Sequence, residues 1–308
     1  MVIDFYSQVS HNKKMTYVLF FLFFCLIGGL SLIFSFILEL YAGGGFFYFL
    51  TFFGFLTIIF AVVGYYFSDS IVTSISGAKQ VEKKDNPKLF NLVEEMSIAS
   101  GLPMPRIFVI DDSAINAFAT GRNPATAVIC FTTGCLTRLN RDQLQGVAAH
   151  ELSHIKNYDI RTMTLATVLV GVSVLLSDLI IRMIIYAPRN SSNNDSKNAG
   201  MLYVVLIVVG ILLAILTPII AELIKLCVSR KREYLADASA VEMTRNPEGL
   251  ASALEVISKD TEPLEAANKA TAHLYISNPL KGQKLFMASL FSTHPPIEDR
   301  IKILRGQK

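Results

Sequence analysis

Charge is scarce in this chain. Asp, Glu, Lys and Arg make up 17% of its 308 residues, against about 25% in an ordinary soluble domain, and mean hydropathy is +0.46. That balance excludes both a wholly soluble protein and an intrinsically disordered one. Net charge is only +3, so global charge gives no support to a nucleic-acid partner. Cysteine is scarce too. The four cysteines (Cys25, Cys130, Cys135, Cys227) form no CxxC pair, so neither a disulfide framework nor a cysteine-rich zinc site is indicated. Internal repeats and long low-complexity tracts are lacking; 190–198 is simply a polar loop. The length suits roughly two globular units, but the composition points to a membrane protein carrying a modest soluble domain.

What the chain has instead is long apolar runs. Residues 17–38 and 46–67 are each 22 residues without a charge, enough to cross a hydrocarbon core of about 30 Å as a helix. Tyr17, Tyr41, Tyr65 and Tyr66 sit near their ends, where amphipathic rings suit the headgroup level. The first run is too long for a signal-peptide core and lacks a small-x-small cleavage site, so it reads as a retained anchor. Residues 201–221 are 21 uncharged positions with Pro218 placed to kink their end. The run 163–186 is interrupted by Asp178 and Arg182. These are four apart and able to pair on one helix face, which suits a shallow or tilted segment as well as a span.

Basic residues set the expected orientation. Lys13 and Lys14 precede the first run, Lys79, Lys83 and Lys84 follow the second, and Lys225, Arg230, Lys231 and Arg232 surround the exit of the last. The loop 39–45 has no basic residue and 187–200 has only Arg189 and Lys197. The positive-inside rule then places both termini and 68–162 in the cytoplasm. The chain divides into a hydrophobic hairpin (1–67), a first soluble part (68–162), a second hydrophobic hairpin (163–227) and a second soluble part (228–308).

The soluble parts read as mainly α with a small β-sheet. Residues 86–100 have helical periodicity, with Pro87 in the first turn and Gly101 as a stop. Residues 106–111 and 125–132 are β-rich runs bounded by Pro, Gly and Asn. A long helix follows from an Asn140 N-cap to about Asp159. Helices are also expected over 230–243, 249–257 and 296–304, the last after Pro295.

The long helix contains His150-Glu151-Leu152-Ser153-His154, an HExxH. Residues four apart lie about 40° apart around a helix, so both imidazoles face one point. Two neutral imidazoles are a natural pair of zinc ligands that leave the ion open to water and a third ligand. Glu151 stands beside them as the base for a metal-activated water. The third ligand is expected at Glu233 in the run Arg232-Glu233-Tyr234-Leu235-Ala236-Asp237. Glu233 and Asp237 are again four apart, so one carboxylate can bind zinc while the other orients a ligating histidine by accepting its second N–H. Glu233 lies 79 residues after His154, but removing the hairpin 163–221 leaves 20, enough for a loop and a returning helix.

These motifs, together with Ile115-Asn116-Ala117-Phe118-Ala119-Thr120-Gly121 and Ser292-Thr293-His294-Pro295-Pro296, make the chain resemble the HtpX-type membrane zinc metalloproteases, relatives of the Ste-type CAAX prenyl endopeptidases. The resemblance covers nearly the whole chain. It implies a zincin-like (gluzincin) catalytic domain on a bacterial cytoplasmic membrane protein with up to four transmembrane helices. It also implies one Zn2+ per chain on His150, His154 and Glu233, Glu151 as general base and Asp237 behind the ligands. Asn116, Ala117, Phe118 and Ala119 would form the edge strand that pairs with substrate backbone, a mode open to any unpaired edge. His294 and Arg300 would steady the oxyanion. Expected partners are polypeptides, chiefly misfolded or damaged membrane proteins, and the lipid bilayer.

Three other readings have a weaker claim. An intramembrane protease would bury Arg141, Asp142, Lys156, Asn157 and Asp159 in lipid, which is costly. A CAAX-type enzyme requires prenylated substrates. A non-catalytic scaffold with a structural zinc has no use for Glu151 and prefers four closed ligands.

Overall fold

The computed structural model describes residues 45–168, 230–266, 271–277, 279 and 295–307, with 14–21 and scattered further positions between 10 and 39. The Asp178–Arg182 pair, the second hairpin beyond 168, and His294 lie outside the described residues.

Helix α1 (Phe46–Tyr66) occupies the second uncharged run and is followed by α2 (Ser68–Ile75). Phe47, Tyr48, Phe52, Phe55 and Ile58 of α1 are all exposed. The side chains at 49, 53, 57, 60 and 61 are not among those described, and among the described residues no helix is long and apolar enough to cross a membrane.

The sheet follows. Strand β1 (Lys79–Gln80) precedes α3 (Pro87–Ser100), and β2 (Arg106–Ile110), β3 (Ala117–Thr120) and β4 (Val128–Thr132) complete it. The order is β1-β2-β4-β3. β2 and β4 run parallel, Arg106 opposite Val128, whereas β1 and β3 pair antiparallel with β2 and β4. Helix α3 has the ends its sequence specifies. Asn86 Oδ1 accepts from the Leu89 N–H at 3.1 Å, Pro87 fills the first turn, and Gly101 takes φ 71 to close the last.

After a short α4 (Thr133–Arg138), helix α5 (Arg141–Lys156) starts in a capping box. The Asn140 side chain accepts from the Gln143 N–H, and the Gln143 side chain accepts from the Asn140 N–H, both at 2.9 Å. Every residue of α5 from Gly146 to Ile155 is buried, because β3 and β4 pack on one side and α3, α6 (Arg230–Thr244) and α7 (Pro247–Lys259) on others. Val147, Leu152 and Ile155 join Ile129 and Phe131 of β4 and Leu254 and Ile257 of α7 in one core. Each large side chain buried this way stabilises the fold by roughly 1.5–3 kcal/mol.

Gly146 lets α7 approach α5 closely: a Cβ there would lie 2.7 Å from the Leu250 nitrogen. The final helix, α8 (Ile297–Leu304), packs on α6 and α7. The expected helix to about Asp159 is shorter than predicted. α5 stops at Lys156, Tyr158 turns to φ 60, and helical turns resume over 159–168.

Candidate metal centre

The HExxH spacing does on α5 what helical geometry requires. His150 and His154 lie one turn apart, with their Nε2 atoms 3.2 Å from each other. α6 brings the third group. Its buried face runs Arg232, Glu233, Ala236, Asp237, Ala240, and the two alanines let it lie close against α5. Glu233 Oε2 is 3.7 Å from His150 Nε2, and its Oε1 is 3.6 Å from His154 Nε2. Donor atoms around a tetrahedral ion ligated at about 2.0–2.1 Å stand about 3.3 Å apart, so this triangle is close to the size such an ion needs. Among the described residues these three form a group able to hold a metal ion.

Glu151, Asp159, Glu233 and Asp237 are all buried here, together with the guanidiniums of Arg232 and Arg300.

Each histidine is held from behind. Asp237 Oδ1 lies 3.0 Å from His150 Nδ1, the contact its spacing anticipates. Burial and the Arg300 guanidinium hold His150 down, to about 4, against the pull of Asp237. It is therefore neutral at ordinary pH, the form that ligates metals. Burial also opposes charge on His154, but Asp159, Glu233 and Glu151 outweigh it and push His154 up to about 9. A metal ion ligated at Nε2 would take the place of that proton. Burial disfavours the Asp237 carboxylate, yet Arg300 and His150 hold its pKa below the usual carboxylate range.

Glu151 is buried beside the ligands. Burial pushes its carboxyl up to about 7 and Glu233 adds to the rise, while His154, Arg300 and the Ala119 N–H it accepts from pull the other way. A base near neutrality is well matched to proton transfer at physiological pH.

The residues for which the resemblance implies other roles fall as follows. Arg300 is fully buried and gives its donors to Asp237, with Nη1 3.4 Å from both Glu233 Oε2 and the Ile276 carbonyl oxygen. Its donors thus face both Asp237, behind His150, and the ligands themselves: Glu233, and the His150 ring, whose two nitrogens lie 3.4 Å from Nη2. β3 is the edge strand of the sheet, but part of its outer side is taken by the chain itself: the Ile276 N–H donates to the Ala117 carbonyl at 3.0 Å. Asn116 precedes the strand, its Nδ2 donating to the Ser277 carbonyl at 3.1 Å. Phe118 is buried edge-on against Tyr275. Of the four expected substrate-pairing residues, Ala119 is the one whose backbone N–H reaches Glu151.

Asp159 and Arg232 were not anticipated as site residues. Asp159 Oδ2 lies 3.0 Å from His154 Nδ1. In sequence it is one acid in a polar stretch, and the break in α5 that turns it back leaves no pattern.

Comparison with known proteins identifies the family. The model of peptidase family M48 matches residues 83–308. A protease HtpX homolog of Dictyoglomus thermophilum is 45% identical over 98% of this chain and 94% of its own length. One from Tropheryma whipplei is 40% identical over 97% of each. The crystal structure of S. mikatae Ste24p overlays with a TM-score of 0.43 and 19% identity, covering 96% of this chain and 66% of that one. An HExxH on a buried helix, a returning glutamate and a match over most of the chain lead to one conclusion: this is a metalloendopeptidase, and the chain belongs to peptidase family M48.

Proposed function

We propose that the chain is a zinc-dependent endopeptidase of the cytoplasmic membrane, with one zinc held by His150, His154 and Glu233, and that it cleaves misfolded or damaged membrane proteins from the cytoplasmic side. The observation that carries the catalytic part is the donor triangle with Glu151 next to it, on the helix that bears the two histidines. When bound, zinc supplies Lewis-acid polarisation and a lowered pKa for water. The rest is done by the chain's own residues. The Glu151 carboxylate, oriented by the Ala119 N–H, takes the attacking water's proton and returns it to the leaving amine. An extended substrate would lie along the edge of β3 beside Glu151.

The membrane part is supported by the uncharged runs and by the apolar side chains that α1 exposes. A helix apolar all round needs an apolar surrounding. Reporter fusions at Lys84 and Lys308 are expected to read cytoplasmic and one at Asn193 external. An external reading at Lys84 would put α5 on the wrong side and overturn this orientation.

Activity is tested on the full chain purified in detergent, using casein with added zinc and then with a chelator. Cleavage abolished by the chelator and restored by zinc is expected. Bound zinc without cleavage of casein, of a membrane-protein substrate or of a prenylated peptide would favour the scaffold reading. Cleavage confined to the prenylated peptide would favour a CAAX-type role.

A further inference from the structure

Behind His154 lies a second pairing that mirrors the one behind His150. We propose that Asp159 and Arg232 form a positioning pair for the metal centre. Asp159 would fix the tautomer and aim of His154, and Arg232 would lock the register of α6, and hence of Glu233, against α5. This rests on the zinc reading above.

The first observation is the shape of the chain after the motif. If α5 continued unbroken, residue 159, five beyond His154, would lie about 140° away around the axis and face elsewhere. The helix stops instead at Lys156, and Asn157 caps it. Tyr158 takes φ 60, a left-handed conformation uncommon for a bulky residue. Such a conformation costs of order 1–3 kcal/mol and persists only where the surroundings impose it. The consequence here is that Asp159 Oδ2 comes to 3.0 Å from His154 Nδ1, with both groups buried. Nδ1 carrying the proton toward Asp159 leaves the Nε2 lone pair directed at the His150–Glu233 triangle.

The second observation lies on α6. Arg232 immediately precedes Glu233 and is 5% exposed. Its Nη1 stands 3.5 Å from Asp159 Oδ1 and 3.4 Å from Thr162 Oγ1. Thr162 donates its own hydroxyl hydrogen to the Asp159 carbonyl at 2.9 Å, which leaves its oxygen free to accept from Arg232. One peptide unit of α6 thus presents Glu233 to the metal triangle and Arg232 to the turn that begins at Asp159. Each ligating histidine therefore has a carboxylate behind it that is paired with a guanidinium: Asp237 with Arg300 for His150, where Arg300 also lies 3.4 Å from the imidazole, and Asp159 with Arg232 for His154.

The test uses the full chain in detergent, reconstituted with Zn2+ for affinity by chelator competition and with Co2+ for visible absorption. Asp159→Asn keeps the volume and an acceptor for the Nδ1–H but removes the charge; Asp159→Ala removes both. Expected are zinc affinities weakened roughly 10-fold and nearer 100-fold, in line with the loss of partners behind metal ligands, with shifted cobalt bands. Arg232→Gln should weaken binding and Arg232→Lys should recover part of it. Circular dichroism separates these effects from unfolding. Parental affinity and an unchanged cobalt spectrum in the folded Asp159→Asn protein would overturn the proposal, even if its melting temperature fell. A parent protein that binds neither ion would overturn the zinc reading itself and this inference with it.

Discussion

The Arg300 guanidinium grips Asp237 in a two-bond fork, Nε to Oδ2 at 2.8 Å and Nη2 to Oδ1 at 2.6 Å, and Asp237 in turn meets His150 Nδ1 at 3.0 Å. Arg300 enters from α8, near the end of the chain, so the metal centre is closed by an element far from the motif in sequence. Removing one partner of a buried ion pair typically costs about 3–5 kcal/mol, because the other charge is left uncompensated. Arg300→Gln is expected to lower the free energy of unfolding by that order and to loosen bound metal as Asp237 ceases to hold His150. Denaturant titration with metal analysis checks both. A folded Arg300→Gln that keeps parental metal affinity yet loses turnover by roughly 10²–10³-fold would instead support the oxyanion role.

His294→Ala is expected to cut turnover by roughly 10²–10³-fold with little change in KM, the pattern of a donor that acts on the developing oxyanion. Steady-state kinetics on a soluble peptide reads this directly, and parental turnover would remove His294 from the catalytic set.

Gly146 sits where α5 and α7 touch backbone to backbone. An alanine methyl would meet the Leu250 nitrogen at 2.7 Å and its Cα at 2.8 Å, and neither can rotate away. Gly146→Ala is expected to destabilise the protein by about 1–3 kcal/mol through overpacking, despite the better helix propensity of alanine. Thermal unfolding in detergent measures it; an unchanged melting temperature would show that α7 yields freely.

Asp260, just past the end of α7, accepts from the Ile115 N–H at 2.8 Å and pairs with Arg138 at 3.0 Å. Burial opposes its charge, but those donors hold its carboxyl below the usual range. The unfolded chain therefore takes up this proton first. The contribution is fully present above the unfolded pKa of about 3.9 and is lost as pH falls through the lower folded value. Asp260→Asn is expected to flatten the acid side of the stability profile below about pH 4. Urea midpoints at several pH values for parent and variant would show it, and parallel profiles would contradict it.

The parts of the site legible in the sequence are those that a single helix brings together. His150, Glu151 and His154 share one turn of α5, and Glu233 and Asp237 share one turn of α6, so spacing alone predicts their faces. The Asn140 cap of α5 was legible for the same reason, since it acts on a residue three positions away, and Pro87 and Gly101 marked the ends of α3. Asp159 was not, because its approach to His154 depends on Tyr158 at φ 60, and nothing in a tyrosine signals that turn. α4, at six residues with Gly134 inside, is too short for a periodic pattern. The closing of β3 at Ala117 by Ile276 involves residues 159 apart, a pairing that no local rule encodes. Arg300 entered only through resemblance, and its grip on Asp237 requires the packing of α8 on α6.

The two glutamates at the centre are expected to separate cleanly. Glu151 lies on α5 between the histidines but outside the donor triangle, whereas Glu233 completes that triangle. Glu151→Gln keeps shape and volume, and its amide oxygen can still accept from the Ala119 N–H; what is lost is the proton acceptor. Zinc affinity should stay near parental while turnover is abolished. Glu233→Gln removes an anionic ligand and leaves two imidazoles with a poor amide donor. Zinc should then wash out under mild chelation, and excess zinc should restore part of the activity, which it cannot do for Glu151→Gln. Bound zinc and peptide cleavage are measured for both variants across a zinc titration. If Glu151→Gln loses zinc while Glu233→Gln retains it, the assignments of base and ligand must be exchanged.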